Sequence, residues 1–169
     1  MKYKEPKKKD GMRLYEIVSK CPPLDLNSKY AYFLIGEHFS KTSIVVTDGQ
    51  DIIAMTSAYV NPQKEDTLFI WQVAVLPEYR GMNLGHKMIN EILKRPLLKK
   101  IKYLETTITE KNTASKKVFL NLAKNLNCHI KKKEFLSSED FTGIKDRTFH
   151  ESELLYKIGP FDPGKLERL

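Results

Sequence analysis

The chain lacks most of the features that would fix its class at a glance. Only two cysteines, Cys21 and Cys128, occur in 169 residues. They have neither CxxC spacing nor the density of a secreted disulfide scaffold, so both read as free thiols. No apolar run approaches the roughly 18 residues that a membrane span needs, and the opening MKYKEPKKKD lacks the apolar segment of a secretory signal. No membrane partner and a cytoplasmic address are therefore expected. No cluster of His, Cys and carboxylates has metal-ligand spacing, and no nucleophile triad is visible, so no metal is expected. Repeats, low-complexity tracts and linkers are also missing, which leaves residues 1–169 as one domain around one core.

What is present is positive charge. Twenty-nine Lys and Arg face 21 Asp and Glu, a formal net charge of +8, and this bias favours an anionic partner. The basic runs Lys7-Lys8-Lys9 and Lys131-Lys132-Lys133 have no interleaved aromatics and belong to no nucleic-acid module, so no nucleic acid is expected. A small phosphorylated molecule suits the same charge. With 41% hydrophobic and 30% charged residues, the composition is that of a globular protein.

Hydrophobic periodicity gives the order β-α-α-β-β-β-α-β-α-β-β. A short strand at Tyr3–Glu5 precedes a helix whose Leu14, Ile17, Val18 and Cys21 share one face, closed by Pro22-Pro23. Ser28 caps a second helix with the stripe Ala31, Leu34, Ile35, His38 and Phe39. Ser43–Thr47 and Ile52–Val60 flank Asp48-Gly49, a hairpin signal. The near-continuous apolar run Leu68–Leu76 reads as a strand buried on both faces and stopped by Pro77. A helix carrying Leu84, Met88, Ile89, Ile92 and Leu93 follows, then a strand at Ile101–Thr109. Ser115, Val118, Phe119, Leu122, Ala123 and Leu126 mark another helix, and Cys128–Leu136 and Glu153–Ile158 the last strands.

The chemistry concentrates in VAVLPEYRGMNLGHKM, a buried strand, a turn and a helix start. Arg80, Gly81, Met82 and Asn83 can aim successive backbone N–H groups into a concave anion site that the unpaired donors at the helix start complete. Gly81 and Gly85 allow close approach, and Arg80 adds charge near a pyrophosphate. A Rossmann reading fails for want of G-x-G-x-x-G, and the antiparallel hairpin before the turn is wrong for βαβ winding. The segment resembles motif A of the GNAT superfamily, R/Q-x-x-G-x-G/A. Arg80 and Gly85 match, and Asn83 stands in place of the first Gly, a residue that also tolerates the left-handed conformation.

That resemblance implies an α/β GNAT fold: a mixed, mostly antiparallel twisted sheet of six to seven strands, flanked by about four helices and splayed at its central strands. It also implies acetyl-CoA as co-substrate. Val73, Ala74, Val75, Arg80, Gly81, Met82, Asn83, Leu84, Gly85 and His86 would hold it, with Asn112 and Ser115 on the arm or as helix caps. CPPLDLNSKYAYFLIGEHF, FIWQVAV, YLETTIT, NTASKKVF and YKIGPF further resemble, in the same order, the diaminobutyrate acetyltransferases of ectoine biosynthesis. The implied reaction moves acetyl to the γ-amine of L-2,4-diaminobutyrate, and the implied assembly is a homodimer.

Such a substrate carries two amines and a carboxylate, so acidic side chains should stand near the amines. Asp25 and Glu105 are the candidates, with Tyr30 and Trp71 as walls or donors, although Asp25 can equally bond its own loop and Trp71 can be plain core. The attacking ammonium must lose a proton. Gln72 stands where some GNAT enzymes place a glutamate, and an amide cannot take that proton. Glu105 is therefore the leading base, and His150 an alternative base or a carboxylate ligand. Phe119 occupies the place of a thiolate-protonating Tyr in many GNAT enzymes, which leaves Tyr156 or solvent for that step. A GNAT enzyme for another amine, and a non-catalytic CoA-sensing module, are the competing readings.

Overall fold

The computed structural model describes residues 1–141 and 151–162. The hairpin signalled by Asp48-Gly49 is present: β2 (Ile44–Asp48) and β3 (Asp51–Val60) pair antiparallel, and Gly49 takes φ 57° in the turn. With β1 (Lys2–Lys4), β4 (Thr67–Val75), β5 (Tyr103–Thr109), β6 (Ile130–Leu136) and β7 (Glu153–Ile158) they form one seven-stranded sheet in the order β1-β2-β3-β4-β5-β7-β6. Among the described residues the β4–β5 pair is the one parallel neighbour pair. Four helices cover the sheet: α1 (Gly11–Ser19), α2 (Lys29–Glu37), α3 (Leu84–Leu93) and α4 (Thr113–Asn125).

Each helix buries the stripe its period predicts. Leu14, Ile17 and Val18 of α1 and Tyr32 and Ile35 of α2 pack with Val45, Met55 and Ala74 on one face of the sheet. Leu84, Met88, Ile89 and Ile92 of α3 and Phe119 and Leu122 of α4 pack with Val46, Ile53, Ile70 and Leu104 on the other. Full burial of such a side chain contributes about 1.5–3 kcal/mol, so these two layers supply most of the driving force. The element edges differ slightly from the periodicity. Cys21 lies beyond α1, and β5 begins at Tyr103, because a turn closed by Ile101 N–H to Leu98 C=O precedes it.

Two irregularities in the centre shape the site. Ser57 pairs with Gln72 and Ala58 with Ile70, so Trp71 is an extra residue in β4, a β-bulge. A one-residue shift moves side chains to the opposite face. Before the bulge Leu68 and Ile70 join the α3–α4 core; after it Val73 and Val75 do, while Gln72 and Ala74 turn toward α1 and α2. Second, β4 and β5 stay in register only from Thr67–Tyr103 to Phe69–Glu105 and then part. The later residues of β4 thus have no strand neighbour on that side among the described residues.

Candidate active site

The gap between the parted strands opens into a cavity of about 630 Å³. Val73 and Val75 form its floor, the turn from Arg80 to Gly85 one wall, and Asn112 and Ser115 at the start of α4 another. Arg80 is extended, Gly81 takes φ 82° and Asn83 takes φ 59°, ψ 26°, the left-handed conformation that a motif glycine supplies elsewhere. This succession brings the chain into α3, whose first N–H groups have no helical acceptor and carry partial positive charge. A Cβ on Gly85 would meet Val73 Cγ1 at 3.2 Å and Val118 Cγ2 at 3.4 Å, so this glycine lets α3 lie close against β4 and α4. The wall fits a polyanion held by main-chain donors.

Several residues of that wall point elsewhere. Met82 faces solvent, and Ala74 packs into the α1–α2 core. His86 is buried between α3 and α4, with Asn90 and Asn125 amides 3.3 and 2.8 Å from its two ring nitrogens. Burial lowers its pKa and favours the neutral ring, so its side chain ties two helices together and is not a phosphate ligand. Asn112 caps α4 through its Oδ1, which accepts from Ser115 N–H at 3.0 Å, while both residues also line the cavity. The wall contributed by Cys21, Pro22, Pro23 and Leu24, and that of Ala114, Lys117, Val118 and Asn121 on α4, is not part of the sequence motif.

The acidic candidates separate. Glu105 is 3% exposed, and its oxygens accept from Lys64 Nζ at 3.0 and 3.3 Å, with Lys157 Nζ at 3.9 Å. Two ammonium groups already neutralise this carboxylate, and it stands at the closed end of the split, outside the cavity lining. The structure thus places Glu105 in an ion-pair cluster. Tyr156 is 1% exposed in the α3–α4 core, with Lys132 Nζ 4.9 Å from its ring centroid, so it is a core residue and not a proton donor to the cavity. Phe119 is core as well. His150 lies outside the described residues.

Another carboxylate, Glu153, was not singled out by periodicity. Glu153 begins β7 opposite Thr109, on the strand face shared with Thr107. Burial raises its carboxyl above the ordinary carboxylate range; a hydrogen bond from Thr107 opposes this, and the charge of Asp25 reinforces it. The negative charges of Asp25 and Glu153 are thus close enough to repel. Its loop is pinned from β4: Gln72 Nε2 donates to the Asp25 carbonyl at 2.7 Å. Trp71 at the bulge and Tyr30 on the first turn of α2 are both exposed, so neither is plain core. The one sequence signal for Glu153 was a carboxylate heading a mostly apolar strand, ELLYKI. Among the described residues no group of three His, Cys, Asp or Glu side chains can hold a metal ion, and no helix is long and apolar enough to cross a membrane.

A coenzyme-sized cleft with a main-chain anion wall fits what known proteins of similar sequence and structure show. The acetyltransferase (GNAT) family profile matches residues 12–123. The L-2,4-diaminobutyric acid acetyltransferase of Vibrio parahaemolyticus is 44% identical over 156 residues, 92% of this chain and 84% of that one. The enzyme of the same name from Virgibacillus pantothenticus is 41% identical, covering 92% and 95%. Diaminobutyrate acetyltransferase EctA from Paenibacillus lautus, solved with L-2,4-diaminobutyric acid and coenzyme A, superposes with a TM-score of 0.90 at 33% identity over 95% of each chain. The splayed sheet, the turn at Arg80–Gly85 and this breadth of identity make the chain a member of the GNAT acetyltransferases and, within them, of the L-2,4-diaminobutyric acid acetyltransferase family.

Proposed function

We propose that this protein transfers acetyl from acetyl-CoA to the γ-amine of L-2,4-diaminobutyrate, by direct attack within a ternary complex, as a step of ectoine biosynthesis. The observation that carries the reading is the coenzyme-sized cleft between β4 and β5, with the Asp25 loop pinned to the β4 bulge and the charges of Asp25 and Glu153 close enough to repel, in a chain so close to an enzyme solved with both ligands. Two acidic groups suit a substrate with two amines; one holds the α-ammonium, the other stands by the nitrogen that reacts.

The residues divide the work. The turn Arg80–Gly85 and the start of α3 hold the pyrophosphate, and the main chain at Val73 and the Val75 N–H, on the edge that β5 leaves open, meet the pantetheine arm. Glu153 takes the proton that the γ-ammonium must lose, since its raised pKa makes it a better acceptor than an ordinary carboxylate. Asp25, Trp71 and Tyr30 orient the amino-acid end. No buried side chain is needed to protonate the departing thiolate, because Phe119 and Tyr156 are both core and a CoA thiol is acidic enough to leave into solvent.

The reading takes the enzyme to be cytoplasmic and a homodimer. In support of the dimer, β6 is an edge strand and leaves Phe135 exposed on it. Sedimentation at micromolar concentration should give twice the chain mass; a monomer there removes the dimer from the reading. The function itself is tested by thiol release from acetyl-CoA with diaminobutyrate, polyamines or peptide amines as acceptors. Preference for diaminobutyrate is expected. Faster turnover of polyamines or peptides, or coenzyme binding without thiol release for any amine, contradicts the proposal.

A further inference from the structure

Gln72 is 5% exposed, yet every hydrogen-bonding atom of its amide group has a task outside its own strand. Nε2 donates to the carbonyl of Asp25 at 2.7 Å, and Oε1 accepts from the hydroxyl of Tyr32 at 3.3 Å. That hydroxyl, on a side chain buried completely in α2, accepts in turn from the backbone N–H of Asn27 at 3.3 Å. The main chain of Gln72 is held as well, its N–H donating to Ser57 Oγ at 3.2 Å beside the bulge. One relay therefore runs from the bulge through Gln72 and Tyr32 to two residues of the loop that carries Asp25.

That loop, residues 21–27, is neither helix nor strand, so its shape depends on outside anchors. At its start Cys21 Sγ donates to the Val75 carbonyl at 3.3 Å. At its far end Gln72 and Tyr32 do the holding. If Gln72 merely filled space, an apolar residue of similar volume would serve at lower desolvation cost. As an amide it has no useful basicity, so proton transfer is not its task either. What remains is placement: the bulge turns Gln72 to the α1–α2 side, and its amide fixes the main chain that carries the Asp25 carboxylate.

We infer that Gln72 is a positioning residue, clamping the Asp25 loop onto the β4 bulge and so setting affinity for the amine substrate and the choice of nitrogen acetylated. This rests on the functional reading above. Gln72 and Tyr32 hold the far end of the loop and do not line the cavity, while residues 21–24, which do line it, are anchored separately through Cys21 and Val75, and the Arg80–Gly85 turn lies outside the relay.

The test uses the intact chain and three variants: Gln72→Met, Tyr32→Phe and the double. Diaminobutyrate KM is measured at saturating acetyl-CoA, acetyl-CoA affinity by calorimetry, and the acetylated nitrogen by NMR. Loss of one buried hydrogen-bonded partner predicts a KM rise of about tenfold for Gln72→Met and about threefold for Tyr32→Phe. Acetyl-CoA affinity stays within about twofold of wild type, since main-chain donors hold that ligand. The share of α-acetylated product rises in Gln72→Met. The double variant falls short of the product of the single effects, as members of one relay must. A folded Gln72→Met with wild-type KM and regiochemistry, or equal weakening toward both substrates, overturns the clamp. Should Gln72→Met fail to fold, Tyr32→Phe decides by the same criteria. Wild-type protein inert toward diaminobutyrate sinks the functional reading, whereas an active wild type with indifferent variants sinks the clamp alone.

Discussion

The two halves of the cleft are built from different materials. The anion wall of the coenzyme half is main chain: a turn with two left-handed residues, Gly81 and Asn83, the unpaired start of α3 and the open edge of β4. The amine half is side chain: Asp25 from a loop, Gln72 from the bulge, Thr107 from β5 and Glu153 from β7. The first lies within a dozen residues of sequence and forms wherever strand, turn and helix form. The second draws on residues more than a hundred positions apart and exists only once β7 has inserted beside β5. Recognition of the common polyanion and of the particular amine are therefore separable, and substitutions should sort by half.

The largest separation is expected at Glu153. Glu153→Gln should lower turnover by about 10²- to 10³-fold, the usual worth of a positioned base, with acetyl-CoA affinity within about twofold by calorimetry. Wild-type activity should fall on the acid side at a higher pH than an unperturbed glutamate would give, because the raised group is protonated sooner as pH drops. The same shift has a stability sign. A carboxyl whose folded pKa exceeds its unfolded value carries no penalty below the unfolded pKa and a full penalty above the folded one, so Glu153→Gln should melt higher than wild type at neutral pH.

The reverse pattern belongs to Asn83. Asn83→Val puts a β-branched residue at φ 59° and should weaken acetyl-CoA about tenfold, from roughly 1–2 kcal/mol of left-handed strain, with diaminobutyrate KM unmoved. Asn83→Gly should bind coenzyme as wild type does. Arg80→Ala should follow with a loss of about threefold to tenfold in acetyl-CoA affinity alone, a charged hydrogen bond at an exposed site. The smallest effect on chemistry should be that of Glu105→Gln. It leaves Lys64 and Lys157 without their carboxylate, and, because both lysines are partly solvated, should cost about 1–2 kcal/mol in a denaturant titration. Turnover per folded molecule should change little; a collapse like that of Glu153→Gln would return the base to Glu105.

The same contrast explains what the sequence disclosed. All eleven strands and helices were legible in order, because each buries a stripe of the right period and the breaks fall at Pro22-Pro23, Asp48-Gly49 and Pro77. The anion turn was legible because its chemistry is local. The extra residue at Trp71 was not, since a bulge leaves an apolar run looking continuous, yet it decides that Gln72 faces the Asp25 loop. Alternation along β5 put Glu105 on the right face but could not show Lys64 and Lys157 closing over it. Tyr156 and Glu153 lie three residues apart on opposite faces of β7, and nothing local says which face meets the cleft. His86 was grouped with the turn by position alone; its partners on α3 and α4 appear only after folding.

The division between halves is tested most directly by two successive calorimetric titrations of an Asp25→Asn, Glu153→Gln double variant, first with coenzyme and then with diaminobutyrate. The account predicts a coenzyme isotherm like that of the wild type followed by no measurable heat from the diamine. Undiminished diamine binding by that variant would contradict it.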